Sequence, residues 1–363
     1  MRAKPYHYLL ASAWRGKASW YTLAAKHRSL LKPATKTAAS SVRDAPVLQQ
    51  GRGEELKSDW ERRRQRQRRR VDAGGDAFFC ASSNDWVALG VADGVSESTK
   101  FGGNPAEFSW QLMELASDHF YELQRAQLLA FGPSGKEIDT QRMLQGAYDS
   151  ILKQRPRVAG SSTACLLAMS HRTGVLDTAM LGDSGYLILR DGLIYHRSPV
   201  QQHRFNYPYQ LSVGLASSHD PAAKSTITAS AVPPESGSKP ESSGLGGGQI
   251  TPVDAIVDHH QLQDGDIILL ATDGLLDNLY DHEMLQLIDS EQSLLTSPRM
   301  WNAELEDSLC RVAWRLVQAA WSHSRNPRRL SPWAQAARAL GEGYPLGGKP
   351  DDITAMLALV RRL

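Results

Sequence analysis

Several apolar runs in this chain are unbroken where a half-exposed strand would alternate. Trp86 to Ala92 carries no polar side chain before Asp93 and Gly94, and Ile267 to Ala271 carries none before Thr272, Asp273 and Gly274. Thr178 to Leu181 leads, more loosely, into Gly182, Asp183, Ser184 and Gly185. Runs of this kind predict strands covered on both faces. Their common ending on an acid is notable because an unpaired charge is expensive to bury.

Other elements follow from spacing. Asn104, Pro105 and Glu107 make a helix start, and Phe108, Leu112, Leu115, His119 and Leu123 then recur on one face. Met143, Ala147 and Ile151 predict a partner helix. STACLLAM, VLDTAMLG and GYLILRDGLIYHR read as consecutive antiparallel strands, with Asp191 and Gly192 in a tight turn. Strands resume in AIVDHHQLQDGDIILLATDG. A helix starts near His282, another carries Leu305, Leu309, Ala313, Leu316 and Ala320 on one face, and DDITAMLALV is a final strand opened by two acids.

Composition divides the chain. Of its 363 residues 41% are apolar, enough for a sizeable core, and the net charge is only +2. From Met1 to Arg43 there is no acid among scattered Lys, Arg, Ser, Ala and aromatic residues. Residues 1–45 therefore read as an organelle-targeting presequence. Residues 46–70, ending in ERRRQRQRRR, read as a basic solvated linker. No aromatic residues interleave there to stack on bases, so no nucleic-acid partner is expected. The folded domain is expected over 71–363, with a flexible Ser/Gly/Pro-rich insertion at about 215–248. No apolar run approaches the roughly 20 residues that span a bilayer. Cys80, Cys165 and Cys310 are too few and too far apart for a zinc knuckle or a disulfide framework, and fit a reducing compartment.

The recurrent acids carry the candidate chemistry. If the strand from Ile353 runs antiparallel beside one of the acid-ended strands, Asp351 or Asp352 arrives at the same sheet end as Asp93 and Asp273. Carboxylates so gathered either take up protons or hold a cation. For an oxygen-only cluster that cation is a hard divalent ion such as Mg²⁺ or Mn²⁺. Gly94 and Gly274 would either permit a close backbone approach or mark turns, and the Asp-Gly pairs at Asp191 and Asp264 read as turns alone. Ser161, Ser162 and Thr163, with His203 and Asp258 as partners, lack nucleophile-elbow spacing, and Cys165 sits in an apolar run that reads as core.

In order along the chain stand DAFF at Asp76, GVADG at Gly90, FSWQLM at Phe108, GSSTACLLAM at Gly160, GDSGYLILRDG at Gly182, QQHRFNYPYQLSVG at Gln201, LLATDGLLDN at Leu269 and GGKPDDIT at Gly347. From about Val71 to its end the chain resembles the metal-dependent protein phosphatase family, type 2C, and most of all its mitochondrial branch. The resemblance implies an α+β fold, a four-layer αββα sandwich of two antiparallel sheets flanked by helix pairs. It implies Mn²⁺ or Mg²⁺, two ions per site, with Asp93 bridging them, Gly94 offering its carbonyl, and Asp273 and Asp351 completing one shell. Asp76 belongs to the same metal set, and Asp183 and Asp277 match positions for a further, weaker ion. Asp351 matches the ligand position better than Asp352. Asp93 and Asp273 are the residues on which catalysis is expected to depend.

The implied reaction is hydrolysis of phosphoserine and phosphothreonine in mitochondrial matrix proteins by a metal-activated water. Phosphoproteins of coenzyme Q synthesis are among the implied substrates. Arg68, Arg69 and Arg70 are candidates for gripping the substrate phosphate. Three departures stand out: Gly75 replaces the first of two usual acids, Val95 a His that is a candidate general acid in many relatives, and Ser96 with Glu97 a Gly-Trp pair. Gly75 raises the alternative of a catalytically weakened binding protein on the same fold, and Asp72 is the nearby acid that could stand in.

Overall fold

The computed structural model describes residues 6–17, 23–27, 70–131, 138–154, 158–214, 250–291, 303–343 and 346–362. The expected insertion at 215–248 and the expected linker, apart from Arg70, lie outside the described residues. The chain opens with strands β1 (Tyr6–Arg15) and β2 (Leu23–His27), then β3 (Ala77–Ser82) and β4 (Trp86–Ala92). Helices α1 (Pro105–Phe131) and α2 (Thr140–Lys153) follow. The strand-rich block comprises β5 (Gly160–Ser162), β6 (Ala164–Ser170), β7 (Val175–Leu181), β8 (Gly185–Arg190), β9 (Leu193–Arg197), β10 (Gln202–Arg204), β11 (Tyr207–Pro208) and β12 (Leu211–Val213). After it come β13 (Ile256–Gln261), β14 (Ile267–Ala271), α3 (Asp273–Leu276), α4 (Asp281–Asp289), α5 (Ala303–Ser324), α6 (Pro332–Ala339) and β15 (Ile353–Arg362).

Two antiparallel sheets organise the molecule, a five-stranded one in the order β13-β7-β6-β4-β3 and a six-stranded one in the order β2-β1-β15-β14-β8-β9. Side-chain alternation sets the layers. Along β4, Val87, Leu89 and Val91 enter a central layer with Tyr8, Ile268, Leu270 and Met356 of the other sheet. The intervening Trp86, Ala88 and Ala92 pack instead under Phe108 and Leu112 of α1 and Met143 and Ile151 of α2. In β14 the odd residues Ile267, Leu269 and Ala271 turn outward to Met284 of α4 and Leu309 and Leu316 of α5. Helices thus cover both outer faces, and each apolar run is apolar throughout because both its faces are buried. A leucine buried in this way contributes roughly 1.5–3 kcal/mol.

Local signals act as expected. The Asn104 side chain accepts from the Glu107 backbone N–H at 3.1 Å and caps α1. Asp191 (φ 51°) and Gly192 (φ 76°) form the β8–β9 turn. The face of α1 is rotated from its expected setting: Phe108, Leu112, Met113, Ala116 and Phe120 are buried, while Leu115, His119 and Leu123 lie at its half-exposed border.

The N-terminal boundary needs correction. Tyr6–Arg15, inside the expected presequence 1–45 and well before the expected domain start at Val71, pairs with Ile353–Arg362 over its whole length. Tyr8, Leu10 and Trp14 lie in the central layer and Leu9, Ala11 and Ala13 in the outer one. The Tyr8 hydroxyl donates to the Ser170 carbonyl of the opposite sheet at 2.7 Å. An acid-free, weakly basic composition is also what a two-face-buried strand with a charged end displays, and composition alone does not separate the two.

Candidate active site

The acids meet where the sheets end. β4 and β14 belong to different sheets but both line the central layer; Asp93 follows the last residue of β4, and Asp273 stands two residues past that of β14. β15 is antiparallel to β14, with Ala355 opposite Ala271, so its leading acids, Asp351 and Asp352, reach the same end.

Backbone contacts fix each acid. The Asp93 N–H donates to Thr163 Oγ1 at 3.1 Å, and its carbonyl accepts from Ser162 Oγ at 2.8 Å and from the Thr163 N–H at 3.0 Å. Two of the hydroxyls that a nucleophile reading would use, those of Ser162 and Thr163, therefore hold the backbone of an acid. A Cβ on Gly94 would stand 2.6 Å from the carbonyl oxygens of Gly75 and Pro105, and one on Gly274 would stand 1.9 Å from that of Asp352. Neither glycine has a positive φ. Close backbone approach, and not turn geometry, requires them.

Asp351 and Asp352 have different duties. Asp352 Oδ2 accepts the Gly75 N–H at 2.7 Å and Oδ1 accepts the Lys17 N–H at 2.6 Å, so its carboxylate clamps two loops. Asp351 turns Oδ2 to the Lys349 ammonium at 3.5 Å. Lys349 is the group that sequence reasoning missed. Its Nζ also bonds the Asp273 carboxylate and lies 2.8 Å from Asp277 Oδ2. Its one sequence signal is its place two residues before Asp351 in GGKPDD.

The electrostatics are those of crowded carboxylates. Burial, then the charges of Asp273, Asp76, Asp351 and Asp183, push the Asp93 carboxyl well above the usual range. Burial, then Asp352, does the same to Asp76, which is fully buried and accepts from Thr272 Oγ1 at 2.8 Å. Asp183 is pushed up to about 8 by burial and Asp273. Asp351 is pushed up to about 6, again by burial and Asp273, despite Lys349. Burial also raises Asp277. Burial opposes the Lys349 charge, yet Asp273, Asp277 and Asp351 outweigh it and hold the ammonium well above its ordinary value.

Such a cluster fits a hard divalent cation. Asp183 Oδ1 and Asp273 Oδ1 are buried with no hydrogen-bond partner, the surrounding donors are oxygens, and the cluster already gathers an ammonium. Asp76, Asp93, the Gly94 carbonyl, Asp183, Asp273 and Asp351 are the groups that would hold Mg²⁺ or Mn²⁺.

Other expectations are resolved by position. The Arg70 guanidinium bonds Glu114 at 2.8 and 3.1 Å and Glu107 at 2.5 Å, so α1 claims it and it is not free to grip a phosphate. Arg68 and Arg69 lie outside the described residues. Asp72 is exposed, unlike the buried Asp76. Ser96 and Glu97 begin a 3₁₀ turn, Ser96–Phe101. Cys165 is fully buried, which raises its thiol out of the reactive range, and Cys80 is pushed up to about 12 by the same cause. His203 packs on Tyr209 with ring centroids 4.3 Å apart, and Asp258 lies with His196 and His260, so no triad is assembled from them.

No family model matches the chain. A protein phosphatase PTC7 homolog, fig, of Drosophila virilis is 35% identical over 287 residues, covering 78% of this chain and 77% of its own. The protein phosphatase PTC7 homolog of Homo sapiens is 34% identical over 287 residues, covering 79% of each chain. Among solved structures, the photosystem II phosphatase PBCP superposes with a TM-score of 0.57 at 27% identity, covering 80% of this chain and 93% of that one.

Proposed function

The chain belongs to the type 2C protein phosphatase family, with the PTC7 homologues, and we propose that it hydrolyses phosphoserine and phosphothreonine in proteins at the acid cluster around Asp93 and Asp273. The observation that carries this reading is the set of buried and half-buried carboxylates at the joint end of both sheets, three of which, Asp76, Asp183 and Asp273, have a buried oxygen without a hydrogen-bond partner. Bound there, divalent cations would lower the pKa of a water, align it with phosphorus and neutralise charge on the phosphoryl oxygens.

The chain's own residues supply the positions. Thr163 and Ser162 anchor the backbone of Asp93. The N-terminus of α3 fixes Asp273, and the Lys349 ammonium ties Asp273 and Asp277 together. Asp352 holds the Gly75 loop against the cluster, so Gly75 contributes a backbone contact where the family usually places an acid. Cys80, Cys165 and Cys310 are all buried, and burial raises the thiols of Cys80 and Cys165, which supports direct hydrolysis over a covalent thiophosphate route.

The proposed substrates are mitochondrial phosphoproteins, those of coenzyme Q synthesis included. The proposed compartment is the mitochondrial matrix, on the resemblance to that branch; the basic stretch at the start of the chain no longer supports it, since Tyr6–Arg15 is a core strand. Imaging of the full chain with a C-terminal tag tests the compartment.

Phosphate release from matched phosphoserine, phosphothreonine and phosphotyrosine peptides, with and without Mn²⁺, tests the activity. The parent is expected to turn over the first two only with the metal. Asp93→Asn and Asp273→Asn should each lose about 100-fold or more, since a metal's charge stabilisation is worth several kcal/mol. Equal turnover in parent and variants would refute the assignment.

A further inference from the structure

At one edge of the sandwich β9 closes the six-stranded sheet and β13 closes the five-stranded one. There, one nitrogen each of His196 and His260 and a carboxylate oxygen of Asp258 all lie within 4.8 Å of one another. These residues are distinct from every residue of the acid cluster. We propose that His196, Asp258 and His260 form a second metal site, for a transition ion of the zinc class, that ties the two sheets together across this edge.

Backbone geometry builds the site. The register of β8 with β9 shifts between Ile188 and Leu189, so that Leu189 faces Ile194 while Ile188 faces His196. Leu189 and Ile194 pack on the helix side of the sheet, whereas Ile188 belongs to the central layer. The bulge therefore turns His196 inward, where an unbroken register would have kept it on the face of Ile194. On β13 alternate residues are half-buried, which places Asp258 and His260 on the same inward face as Ile256. Inward positions on edge strands of a sandwich are expected to be apolar. Here three of them carry ligand-type side chains.

The surroundings are those of a prepared site. His196 Nε2 is buried with no hydrogen-bond partner, and it stands 3.9 Å from Asp258 Oδ2, beyond hydrogen-bond range. The two imidazole centroids are 4.3 Å apart. Burial, followed by the neighbouring His196, holds His260 below its ordinary value, against the opposing pull of Asp258. Tyr186, fully buried, lies with its hydroxyl 2.8 Å from His260 Nε2 and its ring stacked on His196 at 5.3 Å, orienting both rings from beneath. Two imidazoles and one carboxylate are a donor set for Zn²⁺ and its neighbours, unlike the all-oxygen acid cluster. Ligand atoms on a tetrahedral zinc are roughly 3.3 Å apart, so binding requires the three side chains to close by about an ångström.

Zinc content separates this site from the acid cluster. The full chain, freed of metal with a chelator and supplied with saturating Mg²⁺, is incubated with Zn²⁺, desalted and analysed for zinc. The parent and Asp93→Asn should each retain one more zinc equivalent than His196→Ala or His260→Gln. Phosphate release with Mn²⁺ should be the same in parent and in the two histidine variants. Zn²⁺ at about 100 times its Kd should raise the unfolding midpoint of the parent by roughly 5 °C and leave the histidine variants unmoved. In chelator all forms should unfold alike; if a histidine variant does not fold, Asp258→Asn takes its place in the comparison. Equal zinc in parent and variants, no retained zinc at all, or zinc lost from Asp93→Asn but kept by His196→Ala would overturn the proposal.

Discussion

Asp351 and Asp352 are neighbours with the same side chain, and their environments give them opposite work. Asp352 satisfies the N–H groups of Gly75 and Lys17, so Asp352→Ala should lower the stability of the metal-free chain by about 1–3 kcal/mol in denaturant unfolding. Asp351→Asn removes a carboxylate raised by burial and by Asp273, and should leave that stability unchanged or higher. A raised acid keeps in the folded chain a proton that the unfolded chain has released. Its contribution is therefore complete below about pH 4 and is lost as pH rises through about 6 for Asp351 and about 8 for Asp183. Between pH 5 and 8 the metal-free parent should lose more stability than an Asp183→Asn, Asp351→Asn double variant, and saturating Mn²⁺ should remove the difference; parallel pH curves would contradict this. Asp93 and Asp273 were legible because each follows an apolar run, and Asp351 because it opens one, which are local signals; Asp76 was placed only by the resemblance. Lys349 was not legible, since only the folded chain brings its ammonium onto Asp273 and Asp277. Arg70 likewise finds Glu107 and Glu114 only through the packing of α1.

Elements were read best where their signal is contained within them. The Asn104 cap and the Asp191-Gly192 turn behave as read, and Leu305, Leu309, Ala313, Leu316 and Ala320 are all buried on α5. β1 is the opposite case. Its partner β15 stands at the far end of the chain, and the ten-residue register between them leaves no trace in either segment alone. A chain beginning at Val71 would expose the β15 edge and remove Tyr8, Leu10 and Trp14 from the central layer. Such a truncation should fail to unfold cooperatively or should aggregate. A stable, cooperative chain from Val71 would return the boundary to where composition placed it.

For the molecule as a whole, the resemblance to the type 2C family implied the class, and the apolar runs give its layers their reason: runs apolar on every residue need cover on both faces, and two sheets with outer helices provide it. What the sequence could not give is how the ends of β4 and β14, in different sheets, come to face each other, because that depends on the packing of one sheet upon the other. The joint end is where charge is concentrated against burial, and the account rests on a divalent cation being what the acids there are arranged to hold. Calorimetric titration of the metal-free full chain with Mn²⁺ addresses this directly. The parent should bind Mn²⁺ with release of protons from the raised carboxyls, and Asp93→Asn and Asp273→Asn should lose the tightest binding event while still unfolding cooperatively. Binding of equal affinity in all three proteins, or none in the parent, would contradict the account.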